Sequence, residues 1–87
     1  MANSPSAEKR NRQNTKRRHR NRAARSRLRT AVKNLRTEVA AGNKQGAEDL
    51  LPSTLSLVDV TAKKGIIHGN AAARTKSRLV KAIATLG

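Results

Sequence analysis

The large aliphatic side chains of this chain are confined to its second part. All 16 Leu, Ile and Val residues lie from Leu28 onward, and the one large aliphatic side chain before them is Met1. Burial of apolar surface is the main force that folds a chain, so a segment without such side chains cannot bury a face in a core. The pattern predicts a core built by residues 28–87 and a preceding segment that extends away from it.

A first helix is predicted by apolar residues that recur at steps of three and four. Its stripe consists of Ala24, Leu28, Ala31, Val32, Leu35 and Val39. Such spacing places all six on one side of an α-helix, and Gly42 follows where a left-handed residue can end it. Neither Gly nor Pro interrupts residues 7–41. We therefore expect one long helix over residues 6–41, preceded by a disordered start at residues 1–5.

A second helix is predicted over residues 45–64. Its apolar stripe consists of Ala47, Leu51, Leu55, Val58 and Ala62. Lys63 and Lys64 suit the negative end of a helix, and Gly65 can terminate it. Pro52 lies inside the segment and lacks the N–H that a helix needs there, so we expect a kink or a restart near this residue.

A third helix is predicted over residues 70–86, with Asn70 as its N-cap. Its expected stripe consists of Ala73, Lys76, Val80 and Ile83, with Ala72, Leu79 and Leu86 alongside. No segment alternates strictly between apolar and polar residues as a half-buried strand does. The predicted fold class is all-α: a single domain over residues 1–87, formed by an antiparallel three-helix bundle with a long basic N-terminal helix extending beyond it.

The basic residues are as unevenly distributed as the apolar ones. The chain has 20 Lys and Arg against five Asp and Glu, a formal net charge of +15. Residues 1–36 hold 13 of the basic residues and a single acidic residue, Glu8. Such a charge repels itself in the isolated protein, and a bound polyanion relieves the repulsion. The composition therefore indicates a polyanionic partner.

Eleven of the basic residues lie in the outer part of the first helix, residues 7–29, which we call the basic arm. They are Lys9, Arg10, Arg12, Lys16, Arg17, Arg18, Arg20, Arg22, Arg25, Arg27 and Arg29. They step around every side of a helix, without the opposing apolar face that a membrane-surface helix needs. Arginine can bind two phosphate oxygens with its planar fork. We expect the basic arm to be largely disordered in free solution and to fold in a crevice walled by phosphates.

Phosphate binding alone does not choose between RNA and DNA. A DNA-compacting, histone-like protein is the main alternative, although architectural DNA binders often insert apolar wedges between base steps and the arm contains none. A transit peptide is a third interpretation, which the missing amphipathic face disfavours. The chain has no cysteine, and its two His and five acidic residues are scattered. Neither an enzyme nor a metal or cofactor site is predicted, and no apolar run approaches the roughly 18 residues of a membrane span.

The block from residue 64 to residue 79 carries a recognisable signature. It reads Lys64-Gly65-Ile66-Ile67-His68-Gly69-Asn70-Ala71-Ala72-Ala73-Arg74-Thr75-Lys76-Ser77-Arg78-Leu79. The chain also opens with Met1-Ala2-Asn3, which is followed by Ser6-Ala7 and Lys9-Arg10. These features resemble bacterial small-subunit ribosomal protein number twenty over essentially the whole chain, and the specificity of the resemblance lies in the 64–79 block.

The resemblance implies a structural constituent of the small ribosomal subunit, cytoplasmic and bound directly to 16S ribosomal RNA, whose fold it stabilises through phosphate and shape contacts. A second set of phosphate contacts is expected in the later helices, at Lys64, Arg74, Lys76 and Arg78. Asp59 is expected to pair with a Lys or Arg of the bundle, and His68 to bond the backbone of its turn. We expect no cofactor, no membrane partner, no small-molecule substrate and no homo-oligomer.

Overall fold

Three α-helices form the part of the chain that the computed structural model describes, residues 5–86. Helix α1 spans Pro5–Ala40, α2 spans Lys44–Lys63 and α3 spans Gly69–Ala84. These bounds lie within two residues of those expected from the sequence, which is the usual uncertainty of a helix end. The all-α fold with a long first helix is confirmed for the described residues. The expected disordered start falls on residues 1–4, which lie outside them, and on Pro5, which is the first residue of α1.

Two glycines in the left-handed conformation end the first two helices, as the sequence predicted. Gly42 has a φ of 74° and Gly65 a φ of 77°. After each glycine the next residue donates its N–H five residues back, from Asn43 to the Glu38 carbonyl and from Ile66 to the Thr61 carbonyl, at 2.9 and 3.1 Å. These are Schellman motifs, in which a residue with a Cβ would be strained. They reverse the chain twice.

The two reversals produce an antiparallel bundle with α2 between the other helices. Leu35 of α1 packs with Ala47 near the start of α2, and Leu79 and Ile83 near the end of α3 complete this core cluster. Partly buried side chains surround it: Val32, Val39, Leu50 and Leu51. α2 contacts both neighbours extensively, whereas α1 and α3 touch over a short stretch. The second half of α1 is therefore attached mainly to α2.

The side of each helix that is buried agrees with the sequence for α1 and only in part for α3. All six residues of the predicted α1 stripe are buried or half-buried. In α3 the predicted stripe shares Lys76 and Ile83 with the buried face, but Ala73 and Val80 are exposed. Ala72 and Leu79, which were expected alongside the stripe, are buried in their place. Residues 72, 76, 79 and 83 keep a strict spacing of four, three and four, which places them on one side of the helix.

α2 buries two polar residues that the apolar pattern does not reveal. Thr54 and Thr61 are each 2% exposed. Their hydroxyls donate to the carbonyl oxygens of Leu50 and Leu57, at 2.8 and 2.6 Å, which satisfies them inside the bundle. Pro52 is exposed, and α2 continues through it as one helix. Of the expected kink or restart at Pro52, the restart does not occur, because a single missing N–H on the outer side leaves the packed side intact. The kink stays a prediction.

The molecule is far more extended than a compact domain of its length. Its radius of gyration is 17.6 Å and its extents are 64 × 21 × 16 Å. A compact domain of this length would have a radius of gyration of about 12 Å. The difference arises from α1, whose 36 residues would measure about 54 Å at the rise of an α-helix. Only its second half lies against α2 and α3, so most of the basic arm extends beyond the bundle.

A close contact between Glu38, Asn43 and Gly46 fixes the first reversal. Asn43 is the N-cap of α2: its side-chain oxygen accepts the N–H of Gly46 at 3.1 Å, and its Nδ2 donates to Glu38 Oε2 at 2.7 Å. A Cβ added at Gly46 would lie 2.5 Å from Asn43 Nδ2 and 2.8 Å from Glu38 Oε2. A larger residue at position 46 therefore forces the cap apart.

Gly46→Ala should lower the free energy of unfolding by about 0.5 kcal/mol, because displacement of the Asn43 cap costs about 1 kcal/mol and the reduced freedom of the unfolded chain offsets about half of it. Gly69→Ala is the matched control, since Gly69 also begins a helix and a Cβ there meets nothing within 4 Å. The control should raise the free energy of unfolding by about 0.5 kcal/mol, because alanine reduces the freedom of the unfolded chain. Urea unfolding followed by circular dichroism measures both. Equal stabilisation by the two substitutions would contradict the proposed steric conflict.

His68, rather than the expected Asn70, is the N-cap of α3. Its Nδ1 accepts the backbone N–H of Asn70 at 3.0 Å, and its backbone is extended. The expectation that His68 bonds the backbone of its turn is confirmed. Asn70 is the second residue of the helix and supplies the donor, because the helix begins at Gly69, one residue earlier than predicted.

His68→Ala should lower the free energy of unfolding by about 1 kcal/mol, the usual cost of removing a cap acceptor. His68→Asn keeps a short side chain with an acceptor and should restore most of this loss. Thermal unfolding of both variants beside the unchanged protein tests the assignment. A His68→Asn variant no more stable than His68→Ala would rule out a capping role for this side chain.

Candidate nucleic-acid interface

The basic arm presents its charges to solvent on all sides. All eleven of its Lys and Arg side chains are exposed, and every residue from Glu8 to Arg20 is exposed. Within residues 5–86 the one ion pair joins Lys76 and Asp59, so no carboxylate neutralises the arm. Its positive charges are therefore available to an external anion.

The structure brings one distant basic residue to the base of the arm. Arg17, Arg20 and Asn21 of α1 line a concave surface with Lys64 and Ile66, which follow α2; its volume is about 450 Å³. We call this surface the junction cleft. More than forty residues of chain separate its two sides, so it exists only because the reversal at Gly42 returns the end of α2 to the arm. Two cations of α1 and one at the end of α2 converge there.

A second concave surface follows the arm on another side. Its volume is about 620 Å³, and it is lined by Arg18, Asn21, Arg22, Arg25, Ser26 and Arg29. Arg25 also makes a structural contact, because its Nη2 donates to the Ile66 carbonyl oxygen at 3.4 Å. This long hydrogen bond ties the arm to the turn between α2 and α3.

The predicted basic residues of α3 are not equivalent. Lys76 Nζ lies 2.8 Å from Asp59 Oδ1, with the two side chains 38% and 59% exposed. The expected pairing of Asp59 with a basic residue of the bundle is confirmed, and its partner is a residue predicted to contact phosphate. Arg74 and Arg78 are exposed and lie one helical turn apart. Neither lines the junction cleft.

Sequence reasoning missed Asn21. This residue is half-buried although it lies in the arm, and it lines both concave surfaces. The available signal was the stripe of α1: steps of three and four backward from Leu28 pass through Ala24 to Asn21 and Arg17. The face that packs on the bundle is therefore continued by polar residues toward the turn after α2.

The arrangement of exposed basic side chains can hold a polyanion. In the described part of the chain no three His, Cys, Asp or Glu residues come together as a metal site. None of the described helices is both long and apolar enough to cross a membrane. A helix that is positively charged on all sides and projects from a small bundle is suited to binding a polyanion.

Comparison with known proteins gives the family. The model of the family described as ribosomal protein S20 matches residues 2–84. The small ribosomal subunit protein bS20 of Nitrosomonas eutropha is 51% identical over 87 residues, which cover 100% of both chains. The protein of the same description from a Polaromonas species is 54% identical over 82 residues, covering 91% of this chain and 80% of its own. The one from Mycobacterium ulcerans is 47% identical over 87 residues, again 100% of both. The chain belongs to the ribosomal protein S20 family.

Family membership confirms the resemblance found in the sequence. The chain is a protein of the small ribosomal subunit, and its location is the cytoplasm, at the ribosome. The family is one of structural ribosomal proteins and not a family of enzymes. The structural role follows from this membership, and the basic arm is the part of the fold best suited to an RNA partner.

Proposed function

We propose that the chain binds directly to 16S ribosomal RNA as a single copy and stabilises the folded RNA through phosphate and shape contacts. The observation that carries the proposal is the basic arm, with eleven exposed Lys and Arg and no carboxylate paired to any of them in residues 5–86. Phosphates on several sides of such a helix remove its self-repulsion. A second copy, with its own net charge of +15, adds to that repulsion.

RNA suits the arm better than straight duplex DNA. A straight duplex presents its phosphates to one side of a protein helix that lies along it. Compact RNA forms crevices in which phosphates can contact such a helix on several sides. The arm has no large apolar side chain before Leu28 that could wedge between base steps, as many architectural DNA binders require. The chain has no aromatic residue on which single-stranded bases could stack. Shape and phosphate position therefore remain as the means of recognition.

The later helices supply a smaller set of contacts. Arg74 and Arg78 are exposed and without an acidic partner in the described residues, so their guanidinium groups can bind phosphates directly. Lys76 must first leave Asp59, which lies 2.8 Å away. Its contribution to RNA binding is accordingly smaller than that of either arginine. Lys64 acts together with the arm at the junction cleft.

Competitive binding to small-subunit ribosomal RNA and to random duplex DNA across a salt series tests this function. Six to ten phosphate contacts should weaken binding about a thousandfold or more between 50 and 200 mM salt. We expect this steep dependence for both nucleic acids, with ribosomal RNA favoured at high salt where shape still contributes. Equal affinity for both at every salt concentration would refute the proposal and favour a generic polyanion binder.

Charge reversal at two arm positions tests where the affinity resides. Arg10→Glu with Arg12→Glu should weaken binding to ribosomal RNA about a hundredfold, because two phosphate contacts become repulsive. Lys44→Glu with Lys81→Glu changes the net charge equally and reverses exposed residues of α2 and α3. This control should lose less than about tenfold. Similar losses in the two double variants would show that total charge, and not the arm, determines affinity.

A further inference from the structure

The face of α1 that packs on the bundle changes its chemistry where the bundle ends. From Val39 back to Ala24 this face is apolar and at least half-buried. One turn further it consists of Asn21, Arg20 and Arg17. These side chains lie on the same side of α1 as the core residues, toward the turn after α2. Arg17 and Arg20 remain exposed, whereas Asn21 is half-buried.

The end of α2 and the turn after it add a third cation, Lys64, and a buried apolar residue, Ile66, to this surface. Lys64 is the C-cap of α2, and Ile66 is 8% exposed. Together with Arg17, Arg20 and Asn21 they form the junction cleft, which no acidic residue lines. Three positive charges directed into one cleft repel each other, and an anion bound among them removes this repulsion. The cleft is thus electrostatically suited to an occupant that carries negative charge.

Asn21 adds a feature that electrostatics alone does not require. It is half-buried, yet none of the side-chain hydrogen bonds among the described residues involves its amide. An amide can both donate and accept, which suits the phosphate and ribose hydroxyl groups that alternate along an RNA backbone. A bare inorganic anion or a carboxylate side chain would use the donor only.

We propose that the junction cleft is a composite binding site for one phosphodiester segment of RNA, held by Arg17, Arg20 and Lys64 and oriented by Asn21. This inference rests on the proposed function and specifies one site within it. RNA bound in the cleft bridges the arm and the turn after α2. The contact therefore strengthens the attachment of the arm to the turn after α2, which the hydrogen bond from Arg25 to Ile66 already provides in part.

Adjacent lysines provide a matched test of the cation site. Lys64→Ala removes a cleft residue, whereas Lys63→Ala removes an exposed lysine of the last turn of α2 that does not line the cleft. With the full chain and small-subunit ribosomal RNA, Lys64→Ala should weaken binding about tenfold, the effect of losing a charged hydrogen bond. Its salt slope should fall by about 0.7 to 0.9, the value of one phosphate contact. Lys63→Ala should lose less than about threefold.

Two asparagines of the arm test the uncharged part of the site. Asn21→Ala should weaken RNA binding about fivefold, as expected for a neutral hydrogen bond, and leave the salt slope unchanged because no charge is lost. Asn14→Ala is the control, since Asn14 is exposed and outside the cleft. It should change the affinity by less than about twofold. Circular dichroism of each variant verifies that the helices remain.

A double variant completes the test. If Arg17 and Lys64 hold the same segment, the loss from combining Arg17→Ala with Lys64→Ala should be smaller than the product of the single losses. Arg12→Ala with Lys64→Ala should be multiplicative. Equal effects of Lys63→Ala and Lys64→Ala, or multiplicative losses in the cleft pair, would overturn the composite site while leaving direct RNA binding intact. Failure of the unchanged protein to prefer ribosomal RNA would instead overturn the proposed function.

Discussion

The packing of Leu35 against Ala47, Leu79 and Ile83 is the contact on which the rest of the structure depends. It joins all three helices near one end of the bundle, where α1 and α3 otherwise touch little. The chain has only 16 Leu, Ile and Val residues and no aromatic residue, so the small core has few substitutes for it. α2 is central because it packs on both other helices and returns the chain to the base of the arm.

Because apolar residues are few, the two halves of α1 have different roles: one half stabilises the bundle and the other carries the basic residues. From Leu28 onward α1 belongs to the core, whereas before Ala24 its residues are polar or charged with few exceptions. The charges that would destabilise a core are thus kept outside it. The radius of gyration of 17.6 Å is the geometric result. A compact arrangement would bring eleven arm cations close to the seven basic residues after residue 36, and their mutual repulsion would destabilise it.

Spacing alone predicted the α1 stripe and both glycine reversals, because these depend on neighbours within the helix or turn. Other features depend on tertiary packing and could not be predicted from spacing. Thr54 and Thr61 are buried because their hydroxyls bond their own helix, which a hydrophobicity pattern cannot register. Leu79 and Val80 are adjacent in the sequence and both are apolar. Only the position of α2 determines that Leu79 is buried and Val80 exposed. The arm's charges were evident in the sequence, but the approach of Lys64 to Arg17 and the pairing of Lys76 with Asp59 depend on how the helices cross.

The continuity of α1 from Leu35 into the basic arm has a consequence for how the arm becomes ordered. Starting a helix in a free chain is disfavoured by a factor on the order of a thousand, or about 4 kcal/mol, whereas extending an existing helix adds residues without that barrier. The packed half of α1 serves as the nucleus. The arm can therefore become helical by extension of α1 and does not need to start a helix of its own. We therefore expect any ordering on RNA to extend the helix from the bundle outward, so that the contacts nearest the core form first.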